Sequence, residues 1–233
     1  MMLKWCAYAF ILFICGIRGA SAQQAPDAEW IGLTIPVSLG QHWQIIPEAG
    51  YRTYTSEYRR LQNFMRLNLR YRFNALNNIG SGIASFATKL SLDETENEFG
   101  REIRLFEEGN HSTPLSNKLS LQQRLRIEQR FYQATSQYSA HLVHRFRFLL
   151  NAQYKLHPKW YLNLSTEYMQ ALKSKNFSMD QCRLISLLSF VPIEGVQFNL
   201  GYFYVIRSAY QQNVFILTLI KSFGVNESRQ HSS

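Results

Sequence analysis

Apolar and polar residues alternate with a period of two along most of this chain. Between residues 119 and 131, most odd positions are large and apolar, and the even positions include Arg124, Arg126, Glu128 and Arg130. A period of two places successive side chains on opposite faces of a β-strand, so this run predicts a strand with one apolar and one strongly polar face. The same alternation recurs over residues 61–73, 142–156, 160–169 and 196–207, and more weakly over 30–37, 43–54, 79–90, 101–108, 180–190 and 213–223.

The length of these runs indicates what kind of sheet they form. Strands of soluble β-sandwiches usually have about five or six residues, whereas transmembrane β-barrels are built from alternating segments of about ten. Tight turns on one side and longer loops on the other are also typical of outer-membrane barrels. Short polar links at 38–42, 74–78, 156–159 and 192–195 alternate here with looser ones near 55–60, 91–100, 133–138 and 171–179.

The sequence therefore predicts an all-β fold, an antiparallel up-and-down transmembrane β-barrel of about 10–12 strands. The alternating runs number eleven, whereas bacterial single-chain barrels normally have an even number of strands. We therefore expect ten or twelve, with 30–37, which contains Pro36, and 101–108 as the weakest strand assignments. A soluble periplasmic barrel with its apolar face inward fits the periodicity equally well, but it fits the long strands and the loop asymmetry less.

Aromatic residues near the ends of the predicted strands favour the membrane interpretation. Tryptophan and tyrosine are enriched where a membrane protein crosses the two membrane–water interfaces, and in barrels they form girdles there. The residues expected in such girdles are Trp30, Trp43, Tyr51, Tyr154, Trp160 and Tyr161.

The N-terminus predicts export. A short basic start, about a dozen apolar residues and an Ala-x-Ala ending make a secretory signal peptide, cleaved between Ala22 and Gln23. Residues 1–22 are therefore assigned to the signal peptide and 23–233 to the barrel domain. Cleavage leaves Cys182 as the one cysteine, so no internal disulfide is expected.

Composition and charge narrow the range of functions. An aromatic content of 14% argues against a disordered chain, and no apolar stretch after the N-terminus reaches the roughly 20 residues of a membrane helix. The formal net charge is +9, but the arginines alternate with apolar residues through strands instead of forming one patch, so no nucleic-acid partner is expected. Phosphate-binding glycine loops and metal-ligand spacings are absent from the sequence, so no cofactor or metal is predicted.

If the apolar face meets lipid, the charged residues of the other face line the lumen. The predicted lumen network consists of Glu48, Arg66, Arg70, Arg72, Arg124, Arg126, Glu128, Arg130, Arg145, Arg147, Glu167, Arg183 and Arg207. One interpretation is an interlocked arginine–glutamate network that fills the barrel, because small barrels pack their interiors with side chains and opposite charges pair across strands. A second is a narrow pore or pocket that attracts anions, because arginine outnumbers carboxylate.

A lipid-acting barrel enzyme is the third interpretation. Ser139, His141 and His144 are the candidate residues, since nucleophilic catalysis needs a serine and a histidine within hydrogen-bond reach and a third group that orients them. Nothing in their spacing shows this arrangement, so the sequence predicts no enzyme.

Several short motifs resemble one known family. The run RLRIEQRF at 124–131, followed by RFRF at 145–148, is similar to domain-of-unknown-function family 2490, a group of exported bacterial proteins regarded as outer-membrane β-barrels. The likeness extends to Trp30, to 102–107 and to 162–168, which includes Glu167, and also to 180–183.

The resemblance implies an outer-membrane location, but it brings no established activity. The partners expected with this location are outer-membrane lipid and the barrel-assembly machinery, and the excess of arginine in the lumen adds a small anion or solute as a candidate partner. The chain departs from many such barrels at its C-terminus, where ten polar-rich residues follow Phe223.

Overall fold

The computed structural model describes residues 23–55, 60–90, 98–173 and 175–224. The predicted signal peptide, with Ala22, lies outside the described residues, and Gln23 is the first residue described. The strands are β1 (Gln23–Gln24), β2 (Ala28–Thr34), β3 (Val37–Leu39), β4 (Trp43–Tyr54), β5 (Arg60–Arg72), β6 (Asn77–Lys89), β7 (Phe99–Pro114), β8 (Leu119–Tyr132), β9 (His141–His157), β10 (Trp160–Lys173), β11 (Asn176–Phe190), β12 (Val196–Ile206) and β13 (Tyr210–Lys221). In these ranges, no helix is long and apolar enough to cross a membrane.

The strands close into an up-and-down barrel, which confirms the predicted fold class. Each strand from β4 to β12 pairs antiparallel with the next one along the chain, and β2 pairs antiparallel with β4. The sheet closes where β2 also pairs in parallel with β13, from Ala28↔Val214 to Thr34↔Ile220. The short strands β1 and β3 lie beyond the two ends of β2, where they pair with β13 and β4. In the described ranges, the closed wall therefore has eleven strands.

The expectation of an even strand number is wrong. Both of the weakly assigned segments are strands, since 30–37 spans β2 and the start of β3, and 101–108 lies within β7. An odd number is possible because the closing pair is parallel, whereas all other pairs of neighbouring wall strands are antiparallel. Pro36 lies in the gap between β2 and β3. Its carbonyl still accepts a hydrogen bond of 2.8 Å from the Phe223 amide, so the backbone remains paired at this point.

The connections follow the predicted asymmetry only in part, because residues 207–209 join β12 to β13 by a short link at the rim where longer loops are expected. At one rim, the turns between β5 and β6 and between β9 and β10 are short, and at the other rim residues 133–140 join β8 to β9. The looser connection expected near 171–179 is wrong, because β10 continues to Lys173 and β11 begins at Asn176. Lys175 supports this tight turn with a φ of 69°.

The barrel is polar inside and apolar outside. Large apolar side chains on alternate positions face outward, and Met65 and Leu125 are 72% and 63% exposed. The charged positions of the same strands are buried in the lumen, and Arg126 of β8 is only 4% exposed. The structure therefore differs from the alternative barrel in which the apolar strand faces turn inward.

Part of the lumen is nevertheless aromatic. Trp30, expected in an interfacial girdle, lies inside the barrel, because it shares the inward face of β2 with the buried Ala28. Its ring packs edge-on against Phe64 and Phe203, with centroid distances of 5.7 and 5.5 Å. Gly50 makes room for this cluster, since a Cβ there would lie 2.3 Å from the ring of Phe64.

Candidate functional site: an arginine–carboxylate network in the lumen

Glu128 of β8 lies at the centre of the lumen network. Its side chain faces Arg145 directly across the β8–β9 pair. Nε of Arg145 donates to Oε2 of Glu128 at 2.8 Å, and Nη1 of Arg147 donates to Oε1 at 2.6 Å. Nη1 of Arg126 lies 3.7 Å from the same carboxylate. Glu128 is 2% exposed, so its charge is neutralised by protein groups and not by water.

Glu167 of β10 connects three other strands. Nη2 of Arg147 and Nη2 of Arg124 donate to its Oε1 at 2.6 and 2.7 Å, and Nη1 of Arg183 lies 3.4 Å from Oε2. Arg124 is on β8, so its side chain crosses the whole of β9 to reach this carboxylate. Glu167 is also 2% exposed. The contact of Arg124 with Glu167 thus links two strands that are not adjacent in the sheet.

Two glutamates of β7 extend the network, and the sequence analysis missed both. Glu108 accepts from Nε of Arg126 at 2.9 Å, from Nη2 of Arg70 at 3.3 Å and from the side-chain amide of Asn68 at 3.0 Å. Glu102 accepts from Nη2 of Arg104 at 2.9 Å. The signal was present, since even positions of β7 carry these residues, but 101–108 was one of the two weakest strand assignments.

The sequence analysis also missed Asp180 of β11, which connects this strand to arginines of β8 and β9. Nη1 of Arg145 donates to Oδ2 of Asp180 at 3.0 Å. Nη1 of Arg130, which is on β8, lies 3.5 Å from the same oxygen. Arg130 holds Glu102 as well, with Nε at 2.6 Å from Oε1. The network thus runs without a break from β7 to β11.

The remaining predicted residues lie at the margin of this network. Glu48 and Arg66 form a separate ion pair of 3.0 Å between β4 and β5. Arg207 donates to the side-chain oxygen of Gln181 at 3.0 Å. Arg72 is exposed at the rim and is not brought into the network, because β5 ends there and its main chain pairs with His42.

Positive charge exceeds negative charge in the lumen. Among the described residues, eleven arginines and six carboxylates line the lumen cavity or take part in its ion pairs. They are Arg52, Arg66, Arg70, Arg104, Arg124, Arg126, Arg130, Arg145, Arg147, Arg183 and Arg207, with Glu48, Glu102, Glu108, Glu128, Glu167 and Asp180. The cavity that remains beside these side chains has a volume of about 800 Å³. A cation–π contact accommodates part of this excess positive charge, since the Arg52 guanidinium lies 3.8 Å from the centroid of the Trp30 ring.

The residues considered for catalysis do not come together. The ring of His141 stacks on Tyr132, and its Nδ1 contacts the backbone carbonyl of Ser139 at 2.9 Å. His144 lies within β9, opposite Gln129. Among the residues that the structure describes, no hydrogen bond joins the Ser139 hydroxyl to either histidine. No group of three or more metal-ligating side chains occurs in the same ranges.

One family model matches the chain. It is described as a protein of unknown function (DUF2490), and the match covers residues 28–214, which is nearly the whole barrel wall. No curated protein matches the chain. No solved structure matches it either.

Proposed function

The chain belongs to the DUF2490 family of unknown function, and we propose that it is an outer-membrane β-barrel of structural or passive role, closed by its own lumen network. The observation that carries this proposal is the inverted distribution of polarity, with apolar side chains outside and ion pairs inside. In water, the same outer surface would be an apolar patch far larger than the few hundred Å² that soluble monomers expose. In lipid it is the expected surface of a barrel.

Aromatic residues at the rim of the short turns support the membrane location. Trp43 and Trp160 are both exposed there. Trp160 stacks on Phe190 with a centroid distance of 4.5 Å, and Trp43 packs against Tyr71 at 4.9 Å. Exposed aromatic clusters of this kind suit the headgroup region, which accommodates amphipathic rings.

The burial of the central carboxylates supports a closed lumen. A water-filled channel would leave Glu128 and Glu167 in contact with solvent, but each is 2% exposed and held by arginines of neighbouring strands. The contact of Arg124 with Glu167, which skips a strand, places further side-chain volume inside the lumen. The network also fixes strand register, because each ion pair forms only when the two strands are correctly aligned.

Conductance of the purified protein in planar bilayers tests the closure. We expect no steady conductance for the wild type, and openings for Arg126→Ala and Glu128→Ala, since each removes paired charge and side-chain volume. Glu48→Ala is the matched control, because its ion pair lies outside the central network. Steady wild-type conductance would contradict the closed lumen, and silence of both central variants would remove the main support for closure by paired charges.

The second candidate is a narrow channel that prefers anions. It is favoured by the excess of arginine over carboxylate and by the cavity of about 800 Å³, because lumen charge sets ion selectivity in barrels. A wild-type conductance whose reversal potential in a KCl gradient indicates preference for chloride would support this candidate over the closed barrel.

A passive role also implies that the protein does not modify lipid. Phospholipid and lipid A profiles should be unchanged in cells that express it. A changed profile that disappears in His144→Ala would contradict the passive role and favour the barrel enzyme.

A further inference from the structure

A small pocket lies beside the parallel pair of strands that closes the barrel. We propose that this seam pocket, formed around Arg52, Arg183 and Arg207, binds one oxyanion group, a phosphate or a carboxylate, of a small solute. The pocket has a volume of about 40 Å³. One water molecule needs about 10–15 Å³ on this scale, so there is room for a single group of this kind. The site goes beyond the proposed closed barrel, since it requires no passage through the lumen.

The fold brings the three arginines together from β4, from β11 and from the residue that follows β12. Arg52 of β4 lies opposite Trp30 of β2, and its guanidinium carbon is 3.8 Å from the centroid of the tryptophan ring. On the other side, the side-chain oxygen of Gln181 accepts from Nη2 of Arg207 at 3.0 Å and from Nη2 of Arg183 at 3.5 Å. These stacking and hydrogen-bonding contacts orient the cationic groups in advance of any ligand, which lowers the entropy lost on binding.

The positive charge of the seam pocket is only partly compensated. No carboxylate is among its lining residues. Within the described part of the chain, no carboxylate lies at ion-pair distance from Arg52 or Arg207, and Arg183 has one contact, of 3.4 Å, with Glu167. The charges of Arg183 and Arg207 both act on Arg52. Like charges repel more strongly in a partly dry site than in water, and an anion among them replaces this repulsion by attraction.

The hydrogen-bond donors of the pocket are also incompletely used. The Nε atoms of Arg52, Arg183 and Arg207 are all buried, and none of them has a hydrogen-bond partner among the described residues. Buried donors are nearly always paired in folded proteins. A phosphate or carboxylate supplies several acceptor oxygens, and guanidinium groups match their geometry.

The rest of the lumen does not share this combination. The Nε atoms of Arg66, Arg70 and Arg124 also lack partners, but the terminal nitrogens of all three contact carboxylates, whereas Arg52 and Arg207 contact none among the described residues. The seam pocket has in addition an apolar wall, which includes Phe203 and Val214. Such a wall excludes water and strengthens the charge-assisted hydrogen bonds of a bound anion.

Calorimetric titration of the detergent-purified protein tests the inference, with inorganic phosphate and acetate as separate probes in chloride buffer. We expect saturable binding of at least one probe with one site per barrel. Arg52→Gln and Arg207→Gln should each weaken it by about tenfold or more, because each loses a charged hydrogen bond. Arg72→Gln is the matched control, since it removes the same charge at the exposed rim, outside the pocket, and it should bind as the wild type does.

The two probes and the control separate the outcomes. Binding of phosphate alone would identify a phosphate-bearing solute, and binding of acetate would identify a carboxylate. Absence of binding for both probes, or equal weakening by Arg72→Gln, would overturn the seam pocket as a site. The two pocket variants are tested separately, so that a folding defect in one leaves the other informative, and SDS resistance before heating reports folding. Because binding is measured without a membrane or a conductance, its failure is distinct from failure of the proposed closed barrel.

Discussion

Replacing Glu128 by glutamine should weaken the barrel more than any single change at its rim. The substitution keeps the shape of the side chain and one acceptor oxygen, but it removes the negative charge that Arg145 and Arg147 share. Removing one partner of a buried ion pair costs about 3–5 kcal/mol. Both arginines keep a second carboxylate, since Arg145 lies 3.0 Å from Asp180 and Arg147 lies 2.6 Å from Glu167. We therefore expect a loss near the lower limit, about 3 kcal/mol in the free energy of unfolding.

Glu48→Gln is the matched control for this change. The Glu48–Arg66 pair has the same chemistry and a distance of 3.0 Å, but the two side chains are 22% and 17% exposed. Water therefore screens the charge that remains, and the expected loss is at most about 1 kcal/mol.

Denaturant unfolding of the refolded barrel in detergent, followed by tryptophan fluorescence, measures both losses. The assay compares the unfolding midpoints of the wild type and the two variants at equal slope, so that a change of midpoint reports stability. A loss for Glu128→Gln no larger than that for Glu48→Gln would refute the reasoning, because it would mean that the central carboxylate is solvated and not enclosed by arginines.

Three further predictions concern the loops, the packing of the wall and the cysteine. Hydrogen bonds from the hydroxyl and the backbone amide of Ser136 to the Glu98 carboxylate lower the pKa of Glu98. The contact should therefore be fully formed above the ordinary pKa of glutamate and be lost only as the pH falls through the lowered pKa. The chemical shift of the Ser136 amide in NMR spectra, followed against pH, measures this loss. Gly82→Ala should destabilise the barrel by about 1–3 kcal/mol, because the new Cβ would lie 2.4 Å from a main-chain oxygen. Gly109→Ala is the control: its new Cβ would meet no atom within 4 Å, so no steric loss of stability is expected. Cys182 is 1% exposed, so an aromatic disulfide reagent should label it only after unfolding, and rapid labelling of the SDS-resistant form would contradict this.

The sequence predicts the wall of the barrel well, because a period of two is a local property of each strand. The positions of Arg126, Glu128 and Arg130 on the inward face of β8 follow directly from it. Partners within the network do not follow from it, because they depend on register and on the curvature of the whole wall. The contact of Arg124 with Glu167 across β9 is an example, and so is that of Arg130 with Asp180.

The closure of the barrel was the least predictable feature. The parallel pairing of β2 with β13 joins residues almost two hundred positions apart in the chain, and no local pattern distinguishes a parallel from an antiparallel partner. The inward position of Trp30 depends on the same seam, since the ring packs against Phe203 of β12. Glu102 and Glu108 were missed for a different reason, because the strand that carries them was assigned weakly.

Gel mobility with and without heating, measured on the protein in an isolated outer-membrane fraction, tests the central claim most directly. A closed membrane barrel with an apolar exterior resists SDS until it is boiled. We predict that the unheated protein is recovered in this fraction and runs at a different apparent size from the boiled one. Recovery in the soluble periplasmic fraction, with identical mobility before and after boiling, would contradict the membrane barrel.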